Sequence, residues 1–228
     1  MKELFIEAKS RVSLLPATKA ALPALKRFKA VGLVSTVQHC WALKGVKKFL
    51  EQQGKKVFIG KPGPRCQYAG QVLGCDVGAA QHVQDIVNCF VYIGTGQFHP
   101  LGVAVETDKP VLVLNPFTKK VSQITERQKR TWLNKKYIAL AKVKTAKSLG
   151  ILVSTKPGQY QLKKALKLKK CLEGRGQTAA IFMFDTLDAN ELLNFLDIEA
   201  WINTACPRIP DDQELFKRPI VNAEDLSI

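Results

Sequence analysis

The 228-residue sequence lacks the cysteine pairs of a compact metal-binding module. Its cysteines stand at irregular spacings and none forms a C-x-x-C pair, which excludes a zinc ribbon. A chain of this length with 46% hydrophobic residues can bury a core without disulfides. A metal site would therefore need ligands that converge from distant segments. The six cysteines are Cys40, Cys66, Cys75, Cys89, Cys171 and Cys206.

Long apolar runs are also missing. No stretch of about 18 or more uncharged apolar residues occurs, which is the length that a membrane-spanning helix needs. The first residues, Met1 to Leu4, do not begin the apolar segment of a signal peptide. We expect a folded cytoplasmic protein with no membrane partner.

Acidic residues are nearly absent from one segment, and aromatic residues are few there. The segment Phe117–Cys171 carries sixteen Lys and Arg residues and one acid, Glu126, whereas the rest of the chain has nineteen basic and eighteen acidic residues. Such local basicity suits an RNA-rich or acidic protein partner, although a solvated lysine-rich face with no partner is the alternative. With no RNA-recognition motif and only four aromatic residues, the segment gives little support to specific RNA readout.

Two cysteines lie in segments typical of ligand-binding loops. Cys75 stands between Gly74 and Asp76 in the stretch Gly70–Asp76, where glycines let a bound group approach the backbone closely. Cys206 follows an apolar run, and Pro207 disfavours helical backbone at the cysteine. A turn with an incidental thiol is the alternative for each cysteine. We interpret both as candidate metal ligands.

The first half of the chain alternates strands and helices in the manner of a parallel sheet. Val12–Leu25 is interpreted as a connection, Cys40 and Cys89 as core residues, and Lys61–Arg65 as the start of a long loop. The turn Gly94–Gly102 follows a buried strand but has His99 where the dinucleotide fingerprint needs glycine, so it does not predict nicotinamide binding. The predicted strands are 4–7, 30–34, 57–60, 89–93 and 111–114, and the predicted helices are 38–52 and 79–86.

A second strand and helix alternation follows a long basic helix predicted over Thr125–Ser148. Its predicted strands are 150–153, 179–184, 200–203 and 219–221, and its predicted helices are 160–172, with Leu166 on the buried side, and 189–195. Cys171 ends one of these helices and needs no special role. The fold class is therefore α/β, with two similar small domains, 1–124 and 125–228, each a parallel sheet flanked by helices.

Five motifs, taken together, resemble the archaeal diphthamide biosynthesis proteins, the 2-(3-amino-3-carboxypropyl)histidine synthase family. They occur in order over nearly the whole chain, so chance similarity is improbable. They are Gly70–Cys75 (GQVLGC), Phe98–Gly102 (FHPLG), Lys109–Leu112 (KPVL), Gly150–Gln159 (GILVSTKPGQ) and Asn203–Arg208 (NTACPR).

The resemblance implies a transferase built around a four-iron, four-sulfur cluster, to which each of three similar domains gives one cysteine. The cluster cleaves S-adenosylmethionine, and a 3-amino-3-carboxypropyl radical is attached to a histidine of translation elongation factor two. On this resemblance Cys75 and Cys206 are the ligands from the second and third domains. His99, Gly158, Gln159 and Arg208 are expected near the bound substrate.

The resemblance also implies that the family's first domain, with its cysteine, is absent from this sequence. A separate polypeptide is the favoured source of the third ligand, and Cys66, nine residues before Cys75, is the alternative. The chain is then a transferase part that is active only in a complex, as a homodimer or heterodimer. Two other hypotheses stay open: a scaffold or electron-relay subunit of that complex, and a basic RNA-binding α/β protein.

Overall fold

The structure is a computed structural model that describes residue 6 and residues 8–226. It divides into two compact units, residues 1–129 (unit 1) and 130–228 (unit 2). The division falls in the first turn of the long basic helix, a few residues after the expected domain boundary at 124/125.

Unit 1 is built on a five-stranded sheet in the order β2-β1-β3-β4-β5. The first four strands are parallel, and β5 joins the edge in the antiparallel direction. The elements are α1 Leu15–Ala20, α2 Leu22–Leu25, β1 Ala30–Ser35, α3 Val37–Cys40, α4 Leu43–Gln52, β2 Lys56–Phe58, α5 Gly78–Gln81, β3 Cys89–Ile93, α6 Phe98–Thr107, β4 Val111–Leu114 and β5 Val121–Gln123, with a 3-10 helix at Gln84–Ile86.

Successive residues of β3 supply the cores on the two faces of this sheet. Cys89 and Val91 pack into the core that α1, α2 and α4 cover, whereas Phe90 and Tyr92 pack into the core that α5 and α6 cover. Side chains alternate across a strand, and a parallel strand covered on both faces is apolar throughout. The near-continuous apolar sequence of β3 is therefore the signature of a central strand.

Unit 2 repeats the parallel arrangement with the order β7-β6-β8-β9. Its first strand, like β1, ends in the sequence Leu-Val-Ser and is followed by a threonine, at 33–36 in unit 1 and at 152–155 in unit 2. The serines of both copies, Ser35 and Ser154, are fully buried. The elements are the remainder of α7 Glu126–Thr145, β6 Ser148–Ser154, α8 Leu162–Glu173, β7 Thr178–Phe184, β8 Ala200–Asn203 and β9 Ile220–Asn222, with 3-10 helices at Glu191–Asn194, Ile209–Leu215 and Ala223–Asp225.

The predicted α/β class, with mainly parallel sheets flanked by helices, is confirmed, although the unpredicted strand β5 is antiparallel. The connection predicted at Val12–Leu25 is wrong. Two short helices, α1 and α2, occupy it, and each has a proline in its first turn. A proline is tolerated there because the missing N–H would have no partner within the helix. The buried residues Leu14, Ala17, Ala21 and Leu25 follow helical spacing. The predicted strand at 4–7 lies outside the described residues, except for Ile6.

Several predicted elements differ in detail from the structure. The helix predicted at 79–86 is α5 followed by a 3-10 helix, and the one predicted at 189–195 is a 3-10 helix. The helix predicted over 38–52 is two helices, α3 and α4, and Trp41 between them is about half exposed at 54%. Residues of the FHPLG motif begin the helix α6 instead of extending a glycine-rich turn. In α8 the buried residues are Ala165, Leu168 and Leu172, whereas Leu166 is exposed. Among the described residues no helix has the length and apolar character needed to cross a membrane.

His39 on α3 is a buried histidine whose Nδ1 has no hydrogen-bonding partner within the described part of the chain. Burial lowers its pKa below the usual value of 6.5 because the charged imidazolium loses solvation. In the unfolded chain His39 therefore takes up a proton at a higher pH than it does in the folded chain. The histidine's contribution to the free energy of unfolding is retained above about pH 6.5 and decreases as the pH falls from there towards the lowered pKa.

We expect His39→Phe to reduce the loss of stability between pH 7 and pH 5. For each unit by which folding lowers the pKa of His39, the wild type should lose up to about 1.4 kcal/mol of unfolding free energy at low pH, and the variant should not. Urea unfolding of the two proteins at several pH values measures the effect, and His82→Asn, at an exposed histidine, is the matched control. Parallel pH profiles for wild type and His39→Phe would contradict this expectation.

Candidate cluster and substrate site

Cys75 lies at the tip of a tight hairpin near the carboxyl end of β1. Leu73 and Asp76 exchange backbone hydrogen bonds of 2.8 and 3.3 Å, which leaves Gly74 and Cys75 as the two turn residues. The preceding residues run beside β1, where the Ser35 N–H donates to the Gly70 carbonyl at 2.8 Å. The Cys75 side chain is exposed and free, so a ligand can reach its sulfur.

The hairpin packs against the first residues of α6. A Cβ atom at Gly74 would lie 2.2 Å from the Phe98 ring, so only glycine lets the ring approach this closely. Phe98 in turn contacts His99 edge-on, with ring centroids 5.2 Å apart. Two motifs that are separate in the sequence, GQVLGC and FHPLG, therefore form one site in unit 1.

A cleft of about 570 Å³ lies at the carboxyl ends of β1 and β3. The chain leaves β1 towards β2 on one side and returns to β3 on the other, and ligands of doubly wound sheets bind at this kind of reversal. His99 lines the cleft and stacks on Tyr92, with centroids 6.2 Å apart and an interplanar angle of 11°. Further polar lining residues are Thr36, Arg65, Gln67, Gln71 and Thr95.

Sequence reasoning identified His99 in this cleft but not its other polar residues. Gln71 lies inside the GQVLGC motif, and its Oε1 accepts hydrogen bonds from the Gln67 and Tyr68 N–H groups at 2.9 and 3.0 Å. Thr36 directly follows β1 in the Leu-Val-Ser-Thr repeat. That repeat is the signal that could have predicted Thr36.

Cys66 belongs to the same loop but differs from Cys75 in its surroundings. Burial raises the pKa of its thiol to about 12, and the negative charge of the neighbouring Asp76 carboxylate acts in the same direction. The thiolate is the form that binds metals, so these surroundings disfavour ligation by Cys66. The arrangement supports Cys75 as the ligand from this loop.

In unit 2, Cys206 follows β8 in a loop that Asn203 holds. The Asn203 side chain is 1% exposed, donates to the Cys206 carbonyl at 2.8 Å and accepts the Ala205 N–H at 3.0 Å. It also donates to Asn222 Oδ1 at 2.7 Å, and Asn222 donates to the Pro207 carbonyl at 3.0 Å. The two asparagines fix the backbone on both sides of the Cys206 sulfur.

The other predicted residues of unit 2 lie on loops at the same sheet edge. Gly158 has φ +75° in a turn that the Gln159 N–H closes on the Lys156 carbonyl at 3.1 Å, after the end of β6. Arg208 follows β8, its side chain is about half exposed, and its Nη2 lies 3.5 Å from Asp212 Oδ1. Because β6 and β8 are neighbours in the sheet, these loops and Cys206 share the carboxyl edge.

A half-buried carboxylate beyond Cys206 was not predicted. Asp211 Oδ1 accepts a hydrogen bond of 2.8 Å from Trp132 Nε1 on α7. Burial raises the pKa of Asp211, although the Trp132 hydrogen bond acts in the opposite direction. The contact ties the segment after Cys206 to α7.

Part of the basic segment is paired within unit 2. Lys135 and Lys136 on α7 and Lys164 and Lys169 on α8 form ion pairs of 2.5 to 2.6 Å with acidic residues of this unit. Exposed pairs contribute little to stability, but they reduce the charge that a partner would meet. Docking of a partner through this segment stays a prediction. The acidic residues are Glu214, Asp225, Glu224 and Glu173, respectively.

Comparison with known proteins places these sites in a family. The profile of the diphthamide synthesis protein family matches residues 1–228. The chain belongs to this family. The 2-(3-amino-3-carboxypropyl)histidine synthase of Pyrococcus horikoshii is 34% identical over 227 residues, which are 99% of this chain and 64% of that protein. Subunit 1 of the synthase from Schizosaccharomyces pombe is 28% identical over 85% of this chain and 44% of that protein.

A crystal structure of a family member, Dph2 from Pyrococcus horikoshii with a 4Fe-4S cluster, has the same fold. The two structures superpose with a TM-score of 0.84 at 34% sequence identity. The aligned region includes 95% of this chain and 62% of the Pyrococcus horikoshii chain. The chain therefore spans less than two thirds of these Pyrococcus relatives. Within the family, the name subunit 1 of the fungal relatives indicates a synthase of more than one subunit.

Two cysteines of this family member have surroundings in which a thiolate could reach such a cluster. Cys75 is exposed at a hairpin tip, and Cys206 is partly exposed in a loop whose backbone is fixed. Thiolates are the ligands that iron-sulfur clusters take. Within the described residues, no three His, Cys, Asp or Glu side chains are grouped so that they could hold a metal ion.

Proposed function

We propose that the chain is part of a cytoplasmic 2-(3-amino-3-carboxypropyl)histidine synthase, with Cys75 and Cys206 as ligands of one 4Fe-4S cluster. Its substrates are S-adenosylmethionine and a histidine of translation elongation factor two, and the reaction is the first step of diphthamide biosynthesis. A separate polypeptide supplies the third cysteine. The exposed thiol of Cys75 in a turn that packs on the FHPLG motif carries the proposal.

The chain's own residues would bind and orient the substrate while the cluster, when bound, supplies the electron that cleaves the sulfonium. His99 lines the cleft next to the Cys75 hairpin, where its ring, stacked on the buried Tyr92, offers a flat face with a polar edge. The Gly158 and Gln159 turn and Arg208 follow strands at the edge that carries Cys206. A guanidinium at Arg208 suits the carboxylate of the substrate's amino acid group. Holding the reacting bond in place is the protein's contribution to such chemistry.

The test is a transfer assay without oxygen. The chain and a polypeptide that carries the family's first domain are loaded with iron and sulfide, reduced, and given S-adenosylmethionine and elongation factor two. Mass spectrometry should show a 3-amino-3-carboxypropyl group on one histidine of the factor, with methylthioadenosine as the second product. A factor in which that histidine is replaced is the control.

Failure of this assay has a defined meaning. If a full-length synthase of the family modifies the same factor and the loaded complex does not, the chain is a scaffold or electron-relay subunit. Binding of RNA by the isolated chain, with neither cluster nor transfer, would instead support the third hypothesis.

A further inference from the structure

The carboxylate of Asp76, the residue after Cys75, is almost completely buried within the loop that carries both cysteines. The residue is 8% exposed. Its Oδ2 accepts the Arg65 N–H at 2.7 Å, and its Oδ1 accepts the Gly78 N–H at 2.8 Å. One side chain therefore joins the segment before Cys66 to the segment after Cys75.

The loop leaves this carboxylate no room to move. A Cβ atom at Gly63 would lie 1.8 Å from Asp76 Oδ1, so the carboxylate lies directly over the Gly63 backbone. Gly78 approaches the same point, since a Cβ atom there would be 2.7 Å from the Gly63 Cα. Two glycines thus make the space that the carboxylate fills.

The same carboxylate separates the surroundings of the two cysteines. The Cys66 N–H donates to the Gly63 carbonyl at 3.1 Å, and the Asp76 carboxylate is close enough to the Cys66 thiol to raise its pKa. Cys75 is in the hairpin turn that the Asp76 backbone closes, and its sulfur is exposed. Cys66 is therefore partly covered and lies against this anchor, whereas Cys75 is exposed beyond it.

We infer that Asp76 is a positioning residue that presents Cys75 as the cluster ligand and withholds Cys66. The inference rests on the proposed function only for the identity of the ligand. Because its carboxylate is bonded to the backbone of the loop, Asp76 acts through the shape of the loop. Without its carboxylate the loop can offer either sulfur.

The first test needs no cluster. The Asp76→Asn variant keeps the size of the side chain, but its amide nitrogen cannot accept one of the two backbone N–H groups. The two proteins are treated with N-ethylmaleimide, and alkylation of each cysteine is followed by peptide mass spectrometry. In wild type Cys75 should react first, and in the variant Cys66 should react about tenfold faster than in wild type, the effect of one lost hydrogen bond of ordinary strength.

Two further variants make this test specific. Asp85→Asn removes an exposed carboxylate nine residues after Asp76 and should leave the alkylation rates of both cysteines at their wild-type values. Gly63→Ala keeps Asp76 but displaces its carboxylate, so it should reproduce the effect of Asp76→Asn if the chain folds. Wild-type reactivity of Cys66 in a folded Asp76→Asn chain would overturn the inference.

The second test uses the loaded complex and a signature that simple loss of stability does not produce. Reduced Asp76→Asn complex should give two electron paramagnetic resonance signals, one from each ligation, and adding Cys66→Ala should leave one. A lower iron content with a single unchanged signal would show that Asp76 has only a structural role. If Cys75→Ala keeps its cluster, the proposed ligand is wrong, whereas the alkylation pattern still decides whether Asp76 positions the two cysteines.

Discussion

The Cys75→Ala and Cys206→Ala variants should each abolish cluster binding and cleavage of S-adenosylmethionine by the assembled complex. Each variant removes one of three thiolates on which cluster binding depends. Both cysteines lie on loops at the carboxyl edge of a parallel sheet, so little packing is lost with the sulfur. Iron and sulfide analysis after anaerobic reconstitution measures the first effect, and chromatography of the cleaved products measures the second.

Matched controls come from the buried cysteines. Cys40 and Cys89 lie in the core of unit 1, and burial raises the pKa of both thiols to about 12. Alanine at either position should cost about 1 kcal/mol of unfolding free energy and leave the cluster in place. Loss of the cluster in Cys66→Ala would instead identify Cys66 as the third ligand.

The isolated chain should neither hold a complete cluster nor cleave S-adenosylmethionine, and a first-domain polypeptide should restore both properties. The physical reason is the number of thiolates, because Cys75 and Cys206 alone have suitable surroundings. Cys40 and Cys89 are buried in a core, and Cys66 lies against Asp76. Cys171 lies in the last turn of α8, just before β7 begins, and so not on a loop at the carboxyl edge of the sheet. Iron content and product formation are measured for each polypeptide and for the mixture, without oxygen.

The control for this experiment is the first-domain polypeptide with its own cysteine replaced by alanine. It should still bind the chain, as gel filtration would show, but the mixture should remain inactive. A full cluster in the isolated chain, retained after repeated desalting, would contradict the split arrangement.

The alternation of apolar strands and amphipathic helices, by itself, determined the α/β class and most of the strands. β3 and β8 are the clearest cases, since continuous apolar runs that end in polar loops are typical of strands buried on both faces. The motifs indicated the family, because five short matches in the same order are much less probable by chance than any single match.

Only the tertiary structure decided how the loops use their residues. Helices α1, α2 and α6 were missed because prolines and glycines near their first turns look like breakers, whereas burial of their apolar stripes outweighs propensity. The packing of Phe98 on Gly74 joins segments far apart in sequence, and no local pattern encodes such a contact. The difference between Cys66 and Cys75 likewise depends on a carboxylate that the folded loop buries between them, since solvation and hydrogen bonding, not residue type, determine which thiol is available to a metal.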